Sequence, residues 1–265
     1  MNGRGFGAVA GRYDEVRPGY PEALAEAVMA FAGTPDRIVE VGAGTGKATR
    51  SFARYGVATT CLEPDPAMAA VLRARTAGQT HIEVVEASFE DWSPPPAGVG
   101  LIVCAQAWHW VDPDVRCTKA HDALTDGGAL AVFEHMYAFT DRRLEAALDR
   151  VYAELAPELL DDPAGREPPP HEHWLTREIA GAASLRADGG AVGLFADVRY
   201  ETFPTVVPYA TARYVRLLNT YSNHLALAPE RRAALHAGLA EVVDEHGGTV
   251  GVRLDTLLVL GRRHA

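Results

Sequence analysis

Lysine is nearly missing from this 265-residue chain: Lys47 and Lys119 are its lysines, and arginine supplies the other cationic side chains. The formal net charge is −10. Neutralising nucleic-acid phosphates needs clustered Lys and Arg, and no such run is visible, so no nucleic-acid partner is expected. Cysteine is scarce too. Cys61, Cys104 and Cys117 are odd in number and not spaced as a metal knuckle, which argues against a disulfide framework. Cys61 and Cys104 fall in predicted buried strands, where a thiol behaves as a small apolar group. The opening residues hold Gly, Arg and Asp where a signal peptide needs an apolar stretch, and no apolar run approaches membrane-spanning length. A cytoplasmic protein without a membrane partner is the expectation. Scarce lysine beside abundant alanine reads as composition bias rather than chemistry.

What is present is ordinary for a globular protein: 48% hydrophobic and 23% charged residues, enough chain for one α/β domain with an insertion. Residues 21–32 show helical apolar spacing behind Pro21, a residue suited to a helix start. The apolar run Ile38 to Val41 reads as a buried strand ending in glycines. A helix over 46–55 follows, then strands at Thr59–Leu62, Ile82–Val85, Leu101–Ala105 and Ala129–Phe133. Helices at Pro66–Arg75 and Val115–Leu124 alternate with them. The later chain predicts helices over 141–160 (interrupted by Pro157), 174–187, 210–222 and 229–246, with strands at Val198–Phe203 and Val250–Leu260.

This alternation predicts an α/β, doubly wound (Rossmann-like), mostly parallel seven-stranded sheet with an inserted helical cap. The core would take residues 1–136, 196–206 and 248–265. Residues 137–195 and 207–247 would form a lid over the site.

The turn Gly42-Ala43-Gly44-Thr45-Gly46 follows a predicted strand and opens a helix. Glycines there let the backbone approach a ligand and accept positive φ. A dinucleotide fingerprint would place a third glycine or alanine at position 47. Lys47 stands there, which disfavours a nicotinamide cofactor. Glu63 ends the second strand about twenty residues on, where an acid accepts hydrogen bonds from ribose hydroxyls. Glu40, just before the turn, would either orient the loop or reach a ligand's ammonium.

These motifs line up with further ones: Leu62-Glu63-Pro64-Asp65, Ser88-Phe89-Glu90, Gln106-Ala107-Trp108-His109-Trp110 and Asp126-Gly127-Gly128. Together they resemble the successive motifs of class I methyltransferases, and most nearly the trans-aconitate-methyltransferase-like group. Tyr13-Asp14 with Arg17-Pro18, and Thr220-Tyr221-Ser222 with Pro229 to Arg232, resemble that group as well. The resemblance implies S-adenosylmethionine as cofactor and a small-molecule methyl acceptor. By position, the glycines would hold the methionine part and Glu63 the ribose, with Pro64 beside it. Met68 would wall the adenine, and Ser88 and Phe89 would flank it. Many class I enzymes carry Asp where Ser88 stands, which weakens an expected bond to the adenine amino group. Ala105 and Gln106 would face the methionine moiety or the methyl group. Tyr13 and Arg17 would close over the cofactor's carboxylate, a task suited to a bidentate guanidinium.

In that fold Trp108-His109-Trp110 lies near the reacting methyl. His109 is a candidate general base or substrate-orienting group, and His135 beyond the fifth strand is another; Gln106 completes the candidate catalytic set. Trp108 and Trp110 would wall an apolar acceptor or pack under the cap. Tyr221 and His224 share a helix face and are candidate acceptor contacts; Tyr209 and Tyr214 lie nearby. His171-Glu172-His173 lacks metal-ligand spacing, so no metal is expected; Glu167 or Glu172 is instead a candidate substrate contact when the lid closes. A sulfonium methyl is already electrophilic, so the protein's work is alignment and water exclusion. A base is needed only where the acceptor must lose a proton. The alternatives are a non-catalytic S-adenosylmethionine-binding protein and an NAD-dependent oxidoreductase, the latter opposed by Lys47 and the lack of a Tyr-x-x-x-Lys pair. A monomer or homodimer is expected.

Overall fold

The computed structural model describes residues 14–160, 173–185 and 191–264. Seven strands form one sheet in the order β3-β2-β1-β4-β5-β9-β8. β1 (Arg37–Val41), β2 (Ala58–Leu62), β3 (Ile82–Val85), β4 (Val99–Ala105) and β5 (Leu124–Phe139) run parallel. β9 (Thr249–Arg263) is antiparallel to both β5 and β8 (Phe195–Ala210). β6 (Ala183–Leu185) and β7 (Ala191–Gly193) make a separate small hairpin. The parallel, doubly wound sheet is the expected one. Strand order reverses between β1 and β4, which opens a crevice at their carboxyl ends.

Alternation along the central strands fills both faces. Leu101 and Val103 of β4 join Phe52 and α1 (Glu22–Ala32), whose Leu24, Ala25, Val28 and Phe31 lie on one helical stripe. Ile102 and Cys104 point the other way, toward Trp108, α4 (Arg116–Ala123) and α6 (Trp174–Gly181). A third apolar cluster lies beyond the sheet proper. There α5 (Arg142–Leu155), α7 (Thr211–Leu218) and α9 (Pro229–Glu245) pack around Val250, Val252 and Leu254. Between them run α2 (Lys47–Ala53) and α3 (Pro66–Arg75) on the core side and the short α8 (Ser222–Leu225) beside α7.

Several boundaries differ from expectation for identifiable reasons. β5 and β8 are 16 residues each, much longer than their apolar runs. Each is extended by backbone pairing to β9, which a hydropathy pattern does not record. Pro204 and Pro208 lie within β8, which is an edge strand, where a missing N–H is tolerated. The helix expected over 174–187 ends at Gly181. Its Leu175 and Ile179 are fully buried against the sheet-face cluster that holds Trp108. The helix expected over 210–222 is split at Asn219–Tyr221. Among the described residues no helix is long and apolar enough to cross a membrane.

The βα turn after β1 is built on left-handed backbone. Gly46, the residue before α2, has φ 87°, and a Cβ there would lie 2.5 Å from Leu72 Cδ1. Gly46→Ala should therefore lower stability by about 1–3 kcal/mol through backbone strain. A denaturant midpoint measured against wild type checks this.

Candidate active site

A cavity of about 880 Å³ opens at the carboxyl ends of β1 and β4, toward the upper end of the range for small-molecule sites. Its floor is the glycine turn. Gly42 (φ 65°) lets β1 pass so close to the chain leaving β4 that a Cβ would sit 2.4 Å from Ala107 Cβ. At Gly44 the space where a Cβ would project holds nothing within 4 Å, and Gly44 lines the cavity.

Glu63 ties this turn to the end of β2. Its Oε2 accepts from Gly44 N–H at 2.7 Å and its Oε1 from Asp65 N–H at 2.8 Å. Burial raises its pKa, against the pull of those two bonds. Asp65 is occupied locally: its carboxylate accepts from Ala67 and Met68 N–H and caps α3. Pro64, Met68, Ser88, Phe89, Ala105 and Gln106 all line the cavity. Ser88 Oγ donates to Asp91 Oδ2 at 2.8 Å, and the Phe89 ring stacks on Trp92. Gln106 has φ 57°, a strained value for a non-glycine residue, and its buried Nε2 has no hydrogen-bond partner among the described residues.

Arg17 approaches from the N-terminal segment. Its Nε donates to Thr220 Oγ1 at 2.8 Å, one terminal nitrogen donates to Thr220 O at 3.1 Å and the other to Tyr137 Oη at 3.3 Å. The guanidinium lies 4.3 Å over the Tyr221 ring. Asp14 fastens the same segment to the glycine turn. Its carboxylate meets Arg75 at 2.7 Å and Arg50 at 3.3 Å and accepts from Thr45 Oγ1, while Lys47 Nζ donates to its backbone O. Burial opposes the charge on Asp14, but Lys47, Thr45, Arg50 and Arg75 together outweigh it and hold the pKa below the usual carboxylate range. Lys47, read from sequence only as a departure from a dinucleotide fingerprint, is thus also an anchor for this segment. Tyr13 lies outside the described residues, as do His171, Glu172 and Glu167.

Other expected site residues are placed elsewhere. Glu40 and Gly46 do not line the main cavity. Glu40 is fully buried beneath the turn, where Thr49 Oγ1 donates to it at 2.6 Å and burial pushes its pKa up to about 7; it borders a smaller cavity of about 50 Å³. Gly46 is packed on Leu72. Trp108 has no exposed surface and belongs to the sheet-face core, because the 3-10 turn of residues 108–110 directs alternate rings inward and outward. His224 is drawn into a buried network, with Nδ1 3.0 Å from His236 Nε2 and Nε2 3.2 Å from Tyr152 Oη. Burial and the neighbouring His236 lower its pKa to about 4. His135 points to the opposite sheet face from the His109 turn, its Nδ1 2.8 Å from Thr256 Oγ1 and its ring stacked on Tyr20. It borders only the smaller cavity, and burial followed by the charge of Arg17 lowers its pKa to about 3. It is not among the residues that line the main cavity.

His109, Trp110 and Tyr221 do line the cavity. So do Tyr137, Phe139, Tyr152 and Asn223, which sequence reasoning did not single out. Tyr137 and Phe139 lie on the unforeseen extension of β5, and Tyr152 on a helix whose facing could not be read without its neighbours. Glu134 was missed for the same reason: it reads as an interruption at a strand end, yet its Oε1 is 3.3 Å from His109 Nδ1.

Residues 38–128 match the model of a methyltransferase domain. That segment runs from β1 into β5 and contains the glycine turn, Glu63 and the His109 turn. An uncharacterized methyltransferase of Mycobacterium tuberculosis is 33% identical over 127 residues, 48% of this chain and 50% of that protein. A probable S-adenosylmethionine-dependent methyltransferase of Saccharomyces cerevisiae is 31% identical over 124 residues, 45% of this chain and 43% of that protein. The chain thus spans about half the length of the curated relatives it matches. Among solved structures, a putative type II methyltransferase from Anaeromyxobacter dehalogenans superposes with a TM-score of 0.65 at 19% identity, covering 93% of this chain and 97% of that one. The YcgJ protein from Bacillus subtilis gives a TM-score of 0.55 at 16% identity, covering 92% of this chain and all (100%) of that one. The fold is accordingly the Rossmann-like methyltransferase fold, present across nearly the whole chain.

His135 yields a stability test beside this cavity. Its folded pKa of about 3 lies below the ordinary value of 6.5. As pH falls through 6.5 the unfolded chain binds a proton that the folded chain refuses, so stability drops until about pH 3. His135→Phe should flatten that acid limb, which is worth a few kcal/mol at most. Thermal melting of both proteins across pH 4–7 measures it, and parallel limbs would contradict the assignment.

Proposed function

We propose that the chain is an S-adenosylmethionine-dependent methyltransferase acting on a small molecule. The observation that carries this reading is the Glu63 carboxylate, held at the cavity by Gly44 and Asp65 N–H. Each oxygen keeps a lone pair for a vicinal ribose hydroxyl. The donor set fits the rest of the cofactor. The open side of Gly44 leaves room for a ligand against the backbone, and the orphaned Gln106 Nε2 supplies a buried donor. Arg17 offers a guanidinium for a carboxylate, while Met68 and Phe89 give the apolar wall that an adenine ring needs.

When bound, the cofactor supplies a methyl group already activated on a sulfonium. The chain's residues then hold acceptor and methyl in line and exclude water. Tyr137, Phe139, Tyr152 and Tyr221 form the acceptor's wall. On its motifs the chain stands nearest the trans-aconitate-methyltransferase-like group; the clamped N-terminal segment around Asp14 and Arg17 supports that placement. We take β5, β8 and β9 beyond the sheet, with α5 and α7 to α9, as the acceptor-side cap.

Isothermal titration tests the reading. S-adenosylmethionine and S-adenosylhomocysteine should bind in a one-to-one ratio. Glu63→Gln should weaken both by about tenfold or more through loss of charge-assisted hydrogen bonds. NAD binding with no affinity for either sulfur compound would overturn it.

A further inference from the structure

Among the described residues, the main cavity is lined by the carboxylates of Glu63, Glu90 and Asp91 and by one guanidinium, that of Arg17. Such a lining repels an anionic acceptor, and a carboxylate acceptor would need no base. Aromatic side chains line the cavity as well: Trp110, Tyr137, Phe139, Tyr214 and Tyr221. They suit a neutral ring.

His109 lines the same cavity from the turn that follows β4. Its turn is fixed from below by the buried Arg116, which donates to Trp108 O at 2.8 Å and Val111 O at 3.3 Å. The same guanidinium donates from Nε to Glu178 Oε1 at 2.6 Å and so ties the turn to α6. The imidazole lines the cavity and packs 4.8 Å from the Trp110 ring. Its Nδ1 faces Glu134 Oε1, and Glu134, only 9% exposed, does not itself line the cavity. An ionised carboxylate only accepts, so Nδ1 carries the hydrogen and Nε2 on the far side of the ring carries the lone pair.

We propose that His109 and Glu134 form a base dyad for a protic aromatic acceptor, a phenol, with Glu134 as the positioning residue; this rests on the methyltransferase reading above. His109 Nε2 takes the hydroxyl proton while the phenol oxygen's electron pair forms the new bond to the methyl carbon. The sulfur keeps the electron pair of the bond that breaks, and the proton leaves on the imidazolium, whose charge Glu134 balances.

Two measurements test this. The first needs neither cofactor nor acceptor. In protein carrying 15N-histidine, the His109 resonances (assigned with His109→Gln) should show a protonated Nδ1 and a bare Nε2, and Glu134→Gln should abolish that bias. A protonated Nε2 in wild type overturns the dyad. The second measures methylation of phenol, with benzoate as the anionic acceptor that should stay unmethylated. His109→Gln should lower kcat on phenol by about 100-fold and Glu134→Gln by about tenfold. Both variants should keep the wild-type affinity for S-adenosylmethionine. A wild type that binds the cofactor but leaves phenol unmethylated overturns the acceptor assignment and leaves the methyltransferase reading standing. So does equal phenol turnover by wild type and His109→Gln. A wild type that does not bind S-adenosylmethionine overturns both.

Discussion

A carboxylate taken out of water, Glu63, links the two βα turns on which the whole site is assembled. Each oxygen accepts one backbone N–H, from Gly44 in the first turn and Asp65 in the second. Charge-assisted bonds of this kind are worth about 1.5–3 kcal/mol each and draw loops into one geometry. Desolvation works against them and raises the carboxyl's pKa. The arrangement is therefore held with unused acceptor capacity pointing at the cavity, a costly position for a group with no further partner. The backbone around it leaves little slack. Gly42 passes Ala107 at a separation no side chain allows, and Asp65 is committed to capping α3.

The second constraint is the length of the antiparallel strands. β5, β8 and β9 run on past the carboxyl edge of the parallel sheet and pair with one another there. That overhang carries its own apolar cluster, against which α5, α7 and α9 pack. A cavity thus forms between a rigid floor and a wall that projects from the same strands. Tyr209, fully buried, donates to Val16 O at 3.1 Å, and Arg17 bonds Thr220 on the loop after α7. The N-terminal segment is in this way stitched to both the glycine turn and the cap.

Buried titratable groups are distributed with similar economy. His135, His224 and His236 are all disfavoured as cations by burial, and Glu40 is disfavoured as an anion. They contribute shape and hydrogen bonds. The His109 side chain, by contrast, is 44% exposed. Low polarisability around such a site strengthens every remaining electrostatic contact inside it.

The sequence by itself determined the parallel half of this protein. Short apolar runs, the glycine turn and the acid at the second strand's end are local signals, because β1 to β4 and their turns are built from neighbours a few residues apart. Glu63, Pro64, Met68, Ser88, Phe89, Ala105, Gln106, His109 and Trp110 were readable for that reason and share one cavity. Which nearby residues turn away was not readable. Trp108 and Trp110 differ in fate because a single turn points one ring inward. His135 differs from Glu134 because adjacent residues on a strand face opposite sides. The lengths of β5, β8 and β9 were also hidden, since backbone pairing between segments distant in sequence leaves no periodic trace. Only the tertiary structure could bring Glu134 to His109, or Tyr137 and Tyr152 to the cavity, because those contacts depend on which strand lies beside which.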